Sequence, residues 1–181
     1  AFPEQGEPYA EMWKNNPRIK NIIFLPYRKF SIFTLFKLKK FIKRNSIDVV
    51  HSHGNGAGVY SRLLKFIGTN VKVVHTFHGI TNNYTSKIKK ILNCFIGRFL
   101  CDFTDKFILV SKGEMKLAQK MGFLKEEKSI VIYNGIEPFG EKKDEKRFNV
   151  VTLSRFDYQK NMDLAYEIAS ALKNQDVYFI W

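Results

Sequence analysis

The sequence predicts an α/β protein built on a doubly wound parallel sheet, followed by the first β-α-β unit of a second domain of the same class. Short runs rich in β-branched residues alternate with stretches of helical periodicity, the order expected of repeated strand–helix units. Runs such as Asp-Val-Val-His and Val-Lys-Val-Val-His are apolar on neighbouring residues, which is typical of strands covered on both faces. A polar, charged stretch at 136–147 indicates a linker between domains at 1–135 and 148–181.

The individual elements follow from local patterns. Strands are predicted at 19–25, 47–53, 71–77, 105–110, 129–133, 148–153 and 176–181, and helices at 31–44, 56–67, 86–101, 111–121 and 161–172. Ser111 and Glu114 form an S-x-x-E capping sequence, Gly122 marks the end of that helix, and Asn161 is expected to cap the last one. The last helix has a predicted core stripe of Met162, Ala165, Ile168, Ala169 and Leu172. Because one β-α-β unit cannot bury its own faces, we expect the second domain to be truncated.

Composition narrows the class of protein. Of the 181 residues, 45% are hydrophobic and 15% aromatic, which is enough for a packed core and excludes a disordered chain. Lys and Arg interrupt every apolar run before the ~20 residues that a membrane span needs. Cys94 and Cys101 fall on one predicted helix roughly 10 Å apart, too far for a disulfide, and are expected to be reduced thiols of a cytoplasmic protein. The first residues lack the order of a signal peptide, and we expect the start to be a cut.

The positive charge is concentrated in the first half of the chain. The net charge is +13, and the stretch from Met12 to Cys101 holds 17 Lys and Arg against one acid, Asp48. Such a field attracts nucleic acid, anionic lipid headgroups or phosphorylated substrates. A nucleic-acid-binding module is therefore one candidate function, although no RNA- or DNA-binding motif is visible.

All four histidines lie near the carboxyl ends of two predicted strands, the edge at which open α/β sheets bind ligands. His51 and His53 end one strand, and His75 and His78 end the next. Three interpretations are open: hydrogen-bonded core or loop histidines, a zinc site, and contacts with a substrate. No acid or cysteine nearby in the sequence completes a zinc site, so no metal is expected. Substrate contact is favoured for His78 and held as a weaker hypothesis for His53. The small residues at 54 and 56–58 would let the backbone approach a ligand.

A second candidate site follows the strand predicted at 148–153. Arg155 stands at the end of this strand, and Lys160 directly precedes the helix that begins at Asn161. Two cations beside a helix N-terminus suit a diphosphate. An ordinary basic loop is the alternative.

Five blocks in one order give a more specific indication. The sequence reads D-V-V-H-S-H-G, V-V-H-T-F-H-G, I-L-V-S-K, I-Y-N-G-I-E and V-T-L-S-R-F-D-Y-Q-K-N, and it resembles family 4 glycosyltransferases over 17–181. The resemblance implies a GT-B fold, in which two Rossmann-like domains face a cleft and a sugar is transferred from a nucleotide-sugar with retention. It implies a hexosyltransferase type of enzyme with no cofactor or metal. A nucleotide-sugar epimerase of the same fold is an alternative, as is a truncated pseudoenzyme.

The resemblance also implies residue roles. Arg155 and Lys160 match the pair that holds the donor diphosphate, and His78 matches the histidine that reaches the transferred sugar. His53 and Gly54 are candidate substrate contacts, and Asn134 and Gly135 match the pair leading out of the first domain. Nothing before Pro17 resembles the family, and the paired acids of the family's second domain would lie beyond Trp181. We therefore expect the first β-α unit to be absent and residues 1–181 alone to be inactive.

The helix predicted at 31–44 suggests where an acceptor is met. Phe33 and Phe36 share its outer half with cations that include Lys37, Lys40 and Arg44, a pattern that suits insertion among anionic headgroups. Coverage of these aromatics by a neighbouring element is the alternative. The hypothesis is a cytoplasmic protein, peripheral on the inner face of the plasma membrane, acting on a lipid-linked or polysaccharide acceptor.

Overall fold

The structure is a computed structural model that describes residues 2–3, 9–26, 29–80, 87–137, 140, 148–154 and 160–181. The chain divides into two compact units, 1–135 and 136–181. Within the described residues, no helix is long and apolar enough to cross a membrane.

The first unit contains six strands and five α-helices among its described residues. In chain order they are β1 (Phe2–Pro3), α1 (Tyr9–Lys14), β2 (Phe24–Leu25), α2 (Ile32–Arg44), β3 (Val49–His53), α3 (Gly54–Phe66), β4 (Lys72–Thr76), α4 (Lys87–Cys101), β5 (Lys106–Leu109), α5 (Lys112–Met121) and β6 (Ser129–Val131), with a 3₁₀ turn at Glu126–Lys128. The second unit contains β7 (Phe148–Val151), α6 (Met162–Ala171) and β8 (Val177–Ile180).

The central sheet has the order β3-β4-β5-β6, and all of its neighbours are parallel. One helix lies in sequence between each successive pair of strands, so the predicted parallel α/β architecture is confirmed. The register pairs Ser52 with His75 and His53 with Thr76. Parallel strands end at one edge, and this register therefore brings the carboxyl ends of β3 and β4 side by side.

Two apolar clusters hold the first unit together. Leu35, Leu38 and Ile42 of α2 pack with Tyr60 and Leu64 of α3 and with Val71 and Val73. The second cluster joins the end of β4 to β5 and α5 and contains Phe77, Cys101, Phe107, Leu109, Ala118, Met121, Phe123 and Leu124. Helix α3 contacts β3 and β4 and lies between α2 and α4. Both cysteines are free thiols, as expected.

An ion pair between Lys65 and Asp105 lies at the amino ends of the strands. The Asp105 carboxylate, just before β5, accepts a hydrogen bond from Lys65 of α3 and one from the backbone N–H of Val73 at 2.8 Å. Lys72 lies 3.7 Å away. Although burial alone raises the pKa of Asp105, the bonds from Lys65 and Val73 lower the net pKa below its ordinary value.

Helix ends agree with the capping patterns at two positions and disagree at a third. Ser111 Oγ accepts from the N–H of Glu114 at 3.0 Å, and Gly122 ends α5 in the left-handed conformation with φ 71°. The prediction that Asn161 caps α6 is wrong, because its side chain makes no capping bond. Its backbone is left-handed, with φ 48°, whereas a capping residue needs an extended backbone to aim its side chain at the first turn.

The beginning of the chain differs from the sequence-based expectation. Strand β1 pairs in parallel with β2, Phe2 opposite Phe24, and α1 lies between them in sequence. A β-α-β arrangement therefore precedes α2, where the first β-α unit was expected to be absent. The strand predicted at 19–25 is limited to Phe24–Leu25.

The second unit is small and open. Strands β7 and β8 are parallel, with Phe148 opposite Val177. No described residue of α6 is fully buried, and in the predicted core stripe Ile168 remains 49% and Leu172 37% exposed. One β-α-β unit cannot cover its own apolar faces, which accounts for this exposure.

Candidate functional site

Three histidines meet at the carboxyl edge of the sheet. His51 and His53 belong to β3, and alternate residues of a strand share a face, so their rings lie 4.3 Å apart between centroids. His78, in the loop after β4, stacks on His53 with ring centroids 5.2 Å apart and an interplanar angle of 24°. The structure therefore brings together the two predicted substrate contacts of this group, His53 and His78.

The His53–His78 pair is joined by a hydrogen bond. His53 Nδ1 lies 2.9 Å from His78 Nε2, so one ring donates its N–H and the other accepts. Partial burial lowers the pKa of His53, and the neighbouring charges of His51 and His78 lower it further. His51 Nε2 lies 2.8 Å from Thr76 Oγ1. The pair is exposed, and its remaining ring nitrogens suit hydrogen bonding to hydroxyl groups.

The fourth histidine has a different position. His75 is fully buried, and its Nδ1 lies 3.0 Å from Ser52 Oγ, which in turn accepts from Ser61 Oγ at 2.8 Å. Its Nε2 is buried and has no hydrogen-bond partner. Burial and the positive charge of Arg62 lower the pKa of His75 to about 3, so the ring is neutral. For His75, the interpretation as a core histidine is correct.

Below this edge, the space that the small residues leave is filled by the protein itself. Helix α3 already begins at Gly54, so the small residues after it lie in helical turns rather than in a ligand-binding loop. A Cβ added at Gly58 would lie 2.8 Å from His75 Nδ1 and 2.9 Å from Arg62 Nη2. Gly58 therefore serves core packing. Gly54 differs, because it follows His53, has φ +73°, and faces open space.

Glu114 adds a contact that the capping pattern did not predict. Its carboxylate accepts from the N–H of Gly79 at 2.7 Å and from the N–H of Val110 at 3.0 Å. A capping glutamate ordinarily reaches back to the N–H of the capping residue, here Ser111. The S-x-x-E sequence was the only available signal, and it does not indicate a bond to another loop.

An open cavity of about 290 Å³ adjoins Glu114. It is lined by Gly79, Ile80, Val110, Ser111, Gly113, Glu114 and Leu117, and so lies between the loops that follow β4 and β5. Among the residues that the structure describes, no group of three or more His, Cys, Asp or Glu side chains is arranged to hold a metal ion.

The remaining predicted site residues lie at the end of the first unit or in the second unit. Asn134 and Gly135 are exposed and follow β6 at the end of the first unit. Lys160 is exposed and stands two residues before α6 in the second unit. Arg155 lies outside the described residues.

The outer face of α2 is exposed among the described residues, so the alternative that a described element covers its aromatic side chains is not supported. Phe33 is 85% and Phe36 55% exposed, and Lys37, Lys40 and Arg44 are exposed with them. Helix α4 has a second apolar face that was not predicted, formed by Ile88, Ile91, Leu92, Phe95 and Phe99, each at least 43% exposed. The apolar pattern of α4 alone could not distinguish a covered face from an exposed one.

Comparison with known proteins gives consistent matches. The family model Glycosyltransferase Family 4 matches residues 1–138. The chain is 28% identical over 142 residues to the O-antigen biosynthesis glycosyltransferase WbnH of Escherichia coli, covering 78% of this chain and 42% of that protein. It is 33% identical over 141 residues to an uncharacterized 41.2 kDa protein in the cps region of Klebsiella pneumoniae, covering 68% and 39%. The chain thus spans about two fifths of the length of these curated relatives.

A solved structure shows the same fold. The crystal structure of a glycosyltransferase from Rickettsia africae matches with a TM-score of 0.59 and 15% identity, covering 87% of this chain and 54% of that one. The expectation that nothing before Pro17 resembles the family is wrong, since the family match begins at residue 1.

Proposed function

Because the chain belongs to glycosyltransferase family 4, we propose that it forms the acceptor-side domain, and the beginning of the donor-side domain, of an enzyme that transfers a hexose from a nucleotide-sugar with retention. The acceptor is a lipid-linked saccharide or a polysaccharide. A curated relative, 27% identical over 105 residues, is named as a galactosyltransferase acting on a GlcNAc-diphosphoundecaprenol, which supports an acceptor of this class.

The observation that carries the proposal is the His53–His78 pair at the carboxyl edge. Two exposed imidazoles, 2.9 Å apart between ring nitrogens, offer a directed donor and acceptor at the place where parallel sheets bind ligands. We assign His78 the contact with the transferred sugar and His53 its support. Gly54, Asn134 and Gly135 are proposed as further substrate contacts.

The donor diphosphate is assigned to Arg155 and Lys160. Departure of a nucleoside diphosphate concentrates negative charge on its β-phosphate, and fixed cations aimed at that charge lower the barrier. Arg and Lys meet this requirement without a metal or cofactor, and none is proposed. The family resemblance of the V-T-L-S-R-F-D-Y-Q-K-N block supports the assignment.

Transfer by the protein encoded by the complete reading frame tests the activity. It is incubated with nucleotide-sugars and a lipid-diphosphate-linked acceptor, and the product is followed by mass spectrometry. His78→Ala should lower kcat by about 10²-fold or more if the ring acts in the transition state. His51→Ala removes an exposed histidine of the same edge that bonds Thr76, and should have a much smaller effect. Equal activities of the two variants would contradict the role of His78, and residues 1–181 alone should show no transfer.

We further propose that the protein is cytoplasmic and docks on the inner membrane face through α2. Phe33 and Phe36 project among Lys37, Lys40 and Arg44, which fits insertion into an anionic headgroup layer. Vesicle flotation should recover the wild-type chain with anionic liposomes, and Phe33→Ser with Phe36→Ser should abolish recovery.

Leu153→Ser is the matched control, because Leu153 is 94% exposed and lies in the second unit. Recovery with neutral liposomes equal to that with anionic ones would refute the docking. The competing interpretation of the positive charge is a nucleic-acid-binding module. Tight, salt-dependent binding to RNA without recovery on vesicles would favour it.

A further inference from the structure

The loop that carries His78 has two restraints on different atoms. The imidazole contacts His53, and the N–H of the next residue, Gly79, donates to Glu114 at 2.7 Å. This N–H belongs to the peptide group that joins His78 to Gly79, so the bond fixes the plane through which the His78 backbone leaves the sheet. Gly79 has φ +98°, a conformation that side chains rarely adopt, and the chain therefore turns sharply at the anchored residue.

The Glu114 carboxylate connects two neighbouring strand ends. One oxygen accepts from Gly79 after β4, and the other accepts from Val110 after β5. Hydrogen bonds to an ionised carboxylate are shorter and stronger than neutral ones. Glu114 is itself fixed, because its own N–H donates to Ser111 Oγ at the first turn of α5. Glu114 thus ties the position of the His78 loop to helix α5, which packs on β5.

We infer that Glu114 is a positioning residue, which holds the His78 imidazole against His53 by anchoring the backbone of Gly79. The inference rests on the proposed function, since it assigns the reason for holding His78 to sugar transfer. Glu114 need not touch the reacting atoms. A group displaced by about 1 Å can lose about 10²-fold in rate, so an anchor one peptide away from His78 has consequences for turnover.

The chain offers a matched control for this role. Glu114→Ala removes both backbone anchors, whereas Ser111→Ala removes only the Oγ cap of the same helix. Both variants weaken the N-terminus of α5, but only the first releases Gly79. Glu114→Gln keeps one side-chain oxygen and replaces the other by an amide NH2, which cannot accept a hydrogen bond. It should therefore have a smaller effect than Glu114→Ala.

Amide hydrogen exchange and kinetics together test the inference. In residues 1–181, Glu114→Ala should accelerate exchange of the Gly79 amide by about tenfold relative to Ser111→Ala at equal global stability, the factor expected for one lost hydrogen bond. In the protein from the complete reading frame, Glu114→Ala should lower kcat by about tenfold or more while the donor KM changes little, with Glu114→Gln intermediate.

The outcomes separate this inference from the proposed function. Equal Gly79 exchange in Glu114→Ala and Ser111→Ala would overturn the anchor itself. Faster exchange with an unchanged kcat would overturn the positioning role. Absence of transfer by the wild-type protein would instead overturn the proposed function, while the exchange comparison would still decide whether Glu114 holds the loop.

Discussion

Acidification should destabilise the first unit through His75. The ring is fully buried and its pKa is lowered to about 3, whereas an unfolded chain binds this proton with a pKa of about 6.5. As the pH falls below about 6.5, His75 therefore becomes protonated in the unfolded state, whereas in the folded state it stays neutral down to about pH 3. The free energy of unfolding should fall by about 2 kcal/mol between pH 7 and pH 5 from this group alone, at 1.36 kcal/mol per pH unit.

Urea unfolding followed by far-ultraviolet circular dichroism measures this loss. With an m-value of about 2 kcal/mol per molar urea, the midpoint should drop by about 1 M between the two pH values. His75→Gln removes the titrating ring and should lose much less over the same interval. Ser61→Ala weakens the same buried network without removing the ring and should keep the wild-type pH dependence. A His75→Gln chain as acid-sensitive as the wild type, or a His75 ring that titrates near pH 6.5 by NMR, would refute the reasoning.

Two further pairs of substitutions test the packing. Gly58→Ala should cost about 1–3 kcal/mol of unfolding free energy because its Cβ would overlap His75 and Arg62, whereas Gly56→Ala, which meets open space in the same helix, should leave stability unchanged or raise it by up to about 1 kcal/mol. Asp105→Asn should cost about 1–3 kcal/mol by weakening the bonds to Val73 and Lys65, and Asp102→Asn, an exposed pair with Lys125, should change the urea midpoint little. Because the pKa of Asp105 is lowered, the wild type should lose this contribution as the pH falls below about 4, and Asp105→Asn should not.

The sequence predicted the elements of the central sheet well because their signals are local. Strand β3 begins with two valines after Ile47, and α5 has a capping serine and a terminal glycine, so the predicted bounds of both lie within about two residues of the observed ones. The two-residue strands β1 and β2 have no such signal, because periodicity needs several residues to be recognised. Asn161 had the right residue type for a cap, but the residue type alone does not reveal that its backbone is left-handed, with φ 48°.

The sequence located the candidate site but did not distinguish the roles of its individual histidines. Parallel topology puts the ends of β3 and β4 at one edge, which predicted that the histidines lie at a ligand-binding edge but not that His53 and His78 are hydrogen-bonded to each other. The sequence could not tell that His75 turns into the core while His78, three residues later, lies outside it. That difference depends on which face of β4 meets α3, where Gly58 leaves room for the His75 ring. The bond from Glu114 to Gly79 joins residues 35 positions apart, and local spacing does not predict such a contact.

The structure also changes how the charge of the first half should be interpreted. Several of its 17 cations do not contribute an unpaired surface charge: Arg62 is buried, and Lys65 and Lys72 both lie against Asp105. The exposed cations of α2 remain, beside Phe33 and Phe36.

Charge removed from α2 should therefore weaken membrane binding more than the same charge removed elsewhere. Lys37→Gln with Lys40→Gln should reduce partitioning onto anionic vesicles by about 30-fold, at about 1 kcal/mol per lysine. Lys116→Gln with Lys120→Gln makes the same net change on exposed positions of α5 and should reduce partitioning by a few-fold at most. If vesicle co-sedimentation fell equally for both pairs, net charge rather than the face of α2 would govern binding, and the proposed orientation on the membrane would be wrong.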